Sequence, residues 1–188
     1  MAARSPQEEK KKMRDLMIDI ETLGTAPGSV ILSIGATAFD AETGEFGEYF
    51  YAAIDPQSAV ASGLTLDVST VKWWMEQSAE ARADAFSGTR LFGLVLGEFG
   101  DYVRRVDASR VWAKPPSFDV VLLESAFRAC SILIPWSYRT PRDCRTLFDI
   151  TGAVQPEVGT AHNALDDAKS QALGVIDAYR ILASRSAS

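Results

Sequence analysis

The run Met17-Ile18-Asp19-Ile20-Glu21-Thr22 sets two carboxylates two positions apart inside an apolar stretch. Leu16, Met17, Ile18 and Ile20 read as a strand, and strand residues i and i+2 point the same way. Asp19 and Glu21 therefore stand side by side on one face of a buried strand. Like charges this close repel, and each loses hydration on burial. Protonation of one group, a surround of bases, or a divalent cation would each relieve the conflict. No Lys or Arg lies within the run. A metal is the economical solution, and Mg²⁺ or Mn²⁺ suits hard oxygen ligands. The plainer alternative is a strand that emerges into solvent at its end, with Glu21 exposed.

The 188 residues, 47% hydrophobic and 23% charged, suit one soluble domain with a core of its own. The expected layout is a polar N-terminal extension over residues 1–12, with its Glu8-Glu9-Lys10-Lys11-Lys12 run, followed by a single domain over residues 13–188. No apolar run approaches a membrane span, and the first residues lack the apolar stretch of a signal peptide. Cys130 and Cys144 form no CxxC motif, so reduced, inert thiols in a cytoplasm are the expectation. A net charge of −6 argues against tight nonspecific binding to long nucleic acid. It leaves room for a nucleic-acid enzyme whose metals neutralise an acidic site.

Hydrophobic patterning predicts strands over 14–21, 30–39 and 45–54, joined by a Gly/Pro loop and by the turn Asp40-Ala41-Glu42-Thr43-Gly44. Three strands with such short links are antiparallel neighbours. Helices are expected over 70–77, 79–86 and 89–106. A short strand follows at 111–114, then helices over 117–130, 142–151 and 163–183. Strands first, then helices interleaved with a short strand, indicate an α/β fold. Its mixed sheet would have an antiparallel three-strand start, then parallel strands, with helices flanking it.

Two further elements carry candidate chemistry. Ser117 as N-cap would place Asp119 in a first helical turn, where the helix dipole by itself favours a carboxylate. His162, the only histidine, follows a Gly159-containing loop and directly precedes a helix. Asn163 as N-cap, with Asp166 three residues on, resembles a capping box with Asp in place of Glu. That occupies Asp166 and leaves Asp167 free. Five residues along a helix turn through about 140°, yet a loop-held His162 and a first-turn Asp167 can still meet at one site. Four carboxylates cannot share an apolar cleft uncompensated. Two divalent cations, roughly 3.5–4 Å apart, would offset them and clamp a phosphoryl centre. A histidine with an ordinary pKa of about 6.5 suits taking a proton from water near neutrality.

The order Asp19-x-Glu21, Asp119, His162-x4-Asp167 resembles the DEDDh branch of the 3′–5′ exonucleases, over nearly the whole chain. Ile18 to Gly24, Trp73-Trp74, Ser117-Phe118-Asp119 and Ala161 to Ala168 are most similar to the small bacterial and phage exonuclease VIII-like, 3′–5′ exoribonuclease-type group. The resemblance implies a ribonuclease H-like fold. It implies Asp19, Glu21, Asp119 and Asp167 as ligands of two divalent cations, Mg²⁺ or Mn²⁺, with His162 as general base. Thr22 and Leu23 would line the pocket for the 3′-terminal nucleotide. The implied partner is the 3′ end of RNA or DNA, single-stranded or overhanging, and relatives are often homodimers. The turn Ala113-Lys114-Pro115-Pro116, and Val120 after Asp119, depart from the Gly and Asn common there in relatives.

Two rivals stand beside this reading. Asp19-x-Glu21-Thr22 superficially resembles an aspartyl-phosphate type phosphatase, which would have no use for His162 and Asp167. A catalytically silent nucleic-acid-binding module is the other. Trp73 and Trp74 could stack on a base, but adjacent helical residues point about 100° apart, so at least one belongs to the core. Arg139, Arg142 and Arg145 could meet phosphates or form a salt-bridge network around Asp143.

Overall fold

The computed structural model describes residues 13–186, so the expected extension over residues 1–12 lies outside them. The first strand, β1 (Asp15–Thr22), is the middle strand of five and is flanked on both sides. On one side it pairs antiparallel with β2 (Ile31–Phe39), which pairs antiparallel with β3 (Phe46–Ala53). On the other it pairs parallel with β4 (Arg110–Ala113), and β4 pairs parallel with β5 (Pro141–Asp143). The expected mixed sheet is present, in the order β3-β2-β1-β4-β5. The tight turn before β3 closes on Asp40, whose Oδ1 accepts from the N–H groups of Glu42 and Thr43 at 3.0 and 2.9 Å.

Seven helices lie among the described residues: α1 (Pro56–Ala61), α2 (Val68–Glu76), α3 (Ala79–Ala85), α4 (Phe92–Val106), α5 (Asp119–Ala129), α6 (Cys144–Thr151) and α7 (Ala164–Ser186). The sequence reading missed α1, although Asp55 caps it by accepting from Gln57 N–H at 3.0 Å and Pro56 opens it. It also merged β5 into a helix over 142–151. Pro141 to Asp143 instead extend beside β4, and Asp143 caps α6 by accepting from Arg145 N–H at 3.0 Å. The cap position of α5 is Phe118 rather than Ser117, with no side-chain cap bond.

Alternation along β1 splits the core. Leu16, Ile18 and Ile20 face a large apolar cluster that includes Phe92, Phe99, Leu123 and Phe127 from α4 and α5. Met17 faces a second cluster with Trp112, Cys144 and Ala168, Ala172 and Val175 of α7. Asp15, Asp19 and Glu21 share that second face by parity. Helix α7 can lie close to it because of Gly35, which pairs with Asp19 across β1 and β2. A Cβ at Gly35 would stand 2.1 Å from the backbone carbonyl carbon of Ala164. The first turn of α7 is thus seated against the carboxylate end of β1. No helix among the described residues is long and apolar enough to cross a membrane.

Candidate active site

Three elements converge where β1 ends. β1 brings Asp19 and Glu21, the first residue of α5 is Asp119, and the first turn of α7 brings Asp167 with His162 just ahead of it. Asp119 is 3% exposed, and its Oδ1 accepts from Ile20 N–H of β1 at 3.2 Å. Asp19 is half-buried, and its Oδ1 accepts from Gln171 Nε2 at 2.7 Å. Asp167 Oδ2 accepts from His162 N–H at 3.1 Å. That bond folds the loop back on the helix, and His162 adopts a left-handed backbone with φ of 63° to allow it. One ligand atom each from Glu21, His162 and Asp167 lies within 4.8 Å of the other two.

Burial and neighbouring carboxylates dominate the electrostatics of the site. Burial raises the Asp19 carboxyl well above its usual range, and Asp119, Glu21 and Asp167 push it further. Burial, then Asp167, Asp119 and Asp84, push Glu21 up to about 9. Asp119 rises to about 7 through burial, partly offset by backbone N–H donors and by nearby Arg145. Asp167 is also raised by burial, against the opposing His162 N–H and charge and the charge of Lys114. A set of hard oxygens with one imidazole, short of bases, has the donor chemistry of a divalent cation site.

Other expected site residues sit differently. Thr22 is buried, its hydroxyl donating to Gly24 O at 2.7 Å, and Leu23 belongs to the larger apolar cluster. Trp74 is a core residue whose Nε1 donates to Thr22 O at 2.9 Å. Trp73 is 40% exposed and meets the His162 ring edge-on, with centroids 5.0 Å apart. Asp166 does not close a capping box on Asn163. Its Oδ2 accepts from Thr160 N–H at 2.9 Å instead. Asn163 does cap α7, its Oδ1 accepting from Leu165 and Asp166 N–H groups at 3.0 and 3.1 Å. Among the described residues no ion pair joins Asp143 to Arg139, Arg142 or Arg145, because Asp143 is spent on capping α6 and on the Thr146 hydroxyl. Burial pushes both thiols up, Cys144 strongly, in keeping with inert side chains.

Residues 14–177 match the family described as the 3′–5′ exoribonuclease Rv2179c-like domain. The chain belongs to that family. An exodeoxyribonuclease of Enterobacteria phage T4 is 27% identical to this Rv2179c-like domain over 129 residues, which is 62% of the chain. The match spans 56% of the phage protein, little more than half its length. Among solved structures, the nuclease domain of 3′hExo, a DEDDh family member bound to rAMP, superposes with a TM-score of 0.60 at 14% identity, covering 94% of each chain. The zinc-bound form of the E. coli ExoI–ssDNA complex gives 0.62 at 15% identity, covering 91% of this chain and 40% of the other. At such identities the likeness is one of fold, the ribonuclease H-like mixed sheet with flanking helices.

The Rv2179c-like domain also places residues at its site that the motifs do not announce. Asp84 of α3 accepts from Tyr51 OH of β3 at 3.1 Å and from Asn163 Nδ2 at 2.6 Å, tying the His162 loop to two neighbouring elements. Gly159 lies in that loop with φ of 66°, where a Cβ would overlap the Asp166 carboxylate. Gln171 holds Asp19 from one helical turn beyond Asp167. Of these, Gln171 carried a readable signal, a polar side chain inside the apolar stripe of α7.

Proposed function

We propose that this chain is a metal-dependent 3′–5′ exonuclease that releases nucleoside 5′-monophosphates from free 3′ ends of RNA or DNA. Asp19, Glu21, Asp119 and Asp167 would hold two divalent cations, Mg²⁺ or Mn²⁺, and His162 would act as general base. The observation that carries this reading is the convergence of four acidic residues from three elements beside one histidine. Every neighbouring charge that shifts Glu21 is another carboxylate. Divalent cations at such a place polarise a phosphodiester and make water more acidic.

The chain's own residues supply the rest. The imidazole of His162 takes the proton of the attacking water, the general-base role that a positioned imidazole most often fills. Asp167, by accepting from His162 N–H, fixes the loop that presents the ring. Trp73 would form an exposed aromatic wall for the terminal base. Thr22 and Leu23 would lie beneath the 3′-terminal nucleotide as part of the pocket lining. A phosphatase of the aspartyl-phosphate type gives no use to the paired His162 and Asp167.

The family's description names an exoribonuclease and the phage relative's name an exodeoxyribonuclease, so both substrates enter the test. RNA and DNA oligomers labelled at the 5′ end, with free or 3′-phosphorylated ends, are incubated with Mg²⁺ or with EDTA. The expected result is a ladder shortening from the free 3′ end with metal only. Internal cleavage, or full activity in EDTA, would refute the proposal. Binding without cleavage would support the silent module, and a phosphoryl-enzyme intermediate the phosphatase.

A further inference from the structure

Gln171 is buried, 5% exposed, on the α7 face that packs against β1. Four residues after Asp167, it lies on the same side of the helix one turn on. Its neighbours in the helix, Ala168, Ala172 and Val175, are fully buried and apolar. A Leu or Met would suit such a stripe, yet the chain spends a carboxamide there. Nε2 donates to Asp19 Oδ1 at 2.7 Å. Oε1 is the one buried side-chain polar atom among the described residues that has no hydrogen-bond partner. Turning the amide over would set two oxygens against each other, so the orientation follows from Asp19.

The Nε2 half of this amide carries the argument. A carboxylate held through one oxygen by an amide has its plane fixed and its second oxygen free for an ion, as partners behind metal ligands do. We infer that Gln171 is a positioning residue of the cation site: it orients Asp19 through Nε2, at the cost of leaving its own Oε1 buried and unpartnered. The inference rests on the reading of this site as a metal centre. It adds a fifth side chain, outside the His162 and acidic motif, on which metal affinity depends.

The test is calorimetric titration of Mn²⁺ into the metal-stripped full chain, wild type against Gln171→Met. Met keeps the volume and removes both amide groups. Affinity is expected to fall about 10- to 100-fold, the usual cost of losing such a partner. The metal-free melting temperature is expected to move little, because the substitution removes an unpartnered buried oxygen together with the bond to Asp19. Should Gln171→Met fail to fold, Gln171→Asn carries the same expected loss of affinity, since its amide falls one methylene short of Asp19. Mn²⁺ affinity within threefold of wild type in a folded variant would overturn the proposal, leaving Gln171 a packing residue. A wild-type chain that binds no Mn²⁺ would remove the metal-centre reading itself, and the proposal with it.

Discussion

Strand β1 carries buried carboxylates at both ends of one face, and the fold treats the two ends differently. Asp15, fully buried at the start, is saturated with donors. Arg110 Nε and Nη2 approach at 2.6 and 2.7 Å, Trp112 Nε1 at 2.7 Å and Ala41 N–H at 3.1 Å. Asp19 and Glu21, beyond Met17, have the Gln171 amide on Asp19 and other carboxylates around them. Burial of an acid is thus no sign of a cation site. Burial without compensation is.

The contrast breaks most sharply at Asp19. Asp19→Asn is expected to abolish Mn²⁺ binding and reduce exonuclease activity to background. The metal-free fold should be no less stable, since one charge leaves an acidic cluster. Retained Mn²⁺ binding in calorimetry would contradict the assignment. His162→Ala should cost about 10²–10⁴-fold in turnover, with oligonucleotide KM little changed. Wild-type-like single-turnover rates would remove its role as base. At the other end, Asp15→Ala should leave metal binding intact in the folded fraction and cost about 3–5 kcal/mol of stability, because it strands the Arg110 charge. Denaturant unfolding that shows less than about 1 kcal/mol would mean the pair is not a structural anchor.

The pH response separates the ends further. Glu21 and Asp119, with pKa values pushed up to about 9 and about 7, favour the fold as neutral acids. That contribution is complete below the unfolded range of about 4 and is lost as pH rises through the folded values. The metal-free melting temperature should therefore fall between pH 5 and pH 9, and saturating Mn²⁺ should flatten the fall. A metal-free melting temperature that climbs over this range would count against the uncompensated cluster. A smaller effect is expected at Asp84, whose replacement by Ala frees the Asn163 amide and loosens the His162 loop. Turnover should drop by the equivalent of about 1–3 kcal/mol, with Mn²⁺ affinity unchanged. An equal loss of metal affinity would place Asp84 among the ligands instead.

The acidic residues and His162 were legible because each stands in a local pattern: two carboxylates at strand spacing, one at a helix start, and a lone histidine ahead of a helix. What compensates them, or fails to, was not legible. Asp15 reads like Asp19 in sequence, and its arginine lies 95 positions away. Gly35 looked like an ordinary strand residue, although its missing side chain lets α7 reach β1. In the fold, the three-strand start was visible in its apolar, β-branched and aromatic runs and the short turns between them. β5 was hidden because it is a three-residue strand running straight into the Asp143 cap of α6. Pairings across such distances leave no mark on local composition.

The central claim is that the end of β1 holds acids kept partly neutral until a cation displaces their protons. Calorimetric titration of Mn²⁺ into the metal-free chain at pH 7, in two buffers of different ionisation enthalpy, tests it directly. With Glu21 pushed up to about 9 and Asp119 to about 7, binding should release about one proton or more per chain, because the ligands must deprotonate. The apparent enthalpy should then differ between buffers. Binding with the same enthalpy in both, or no binding at all, would contradict the account.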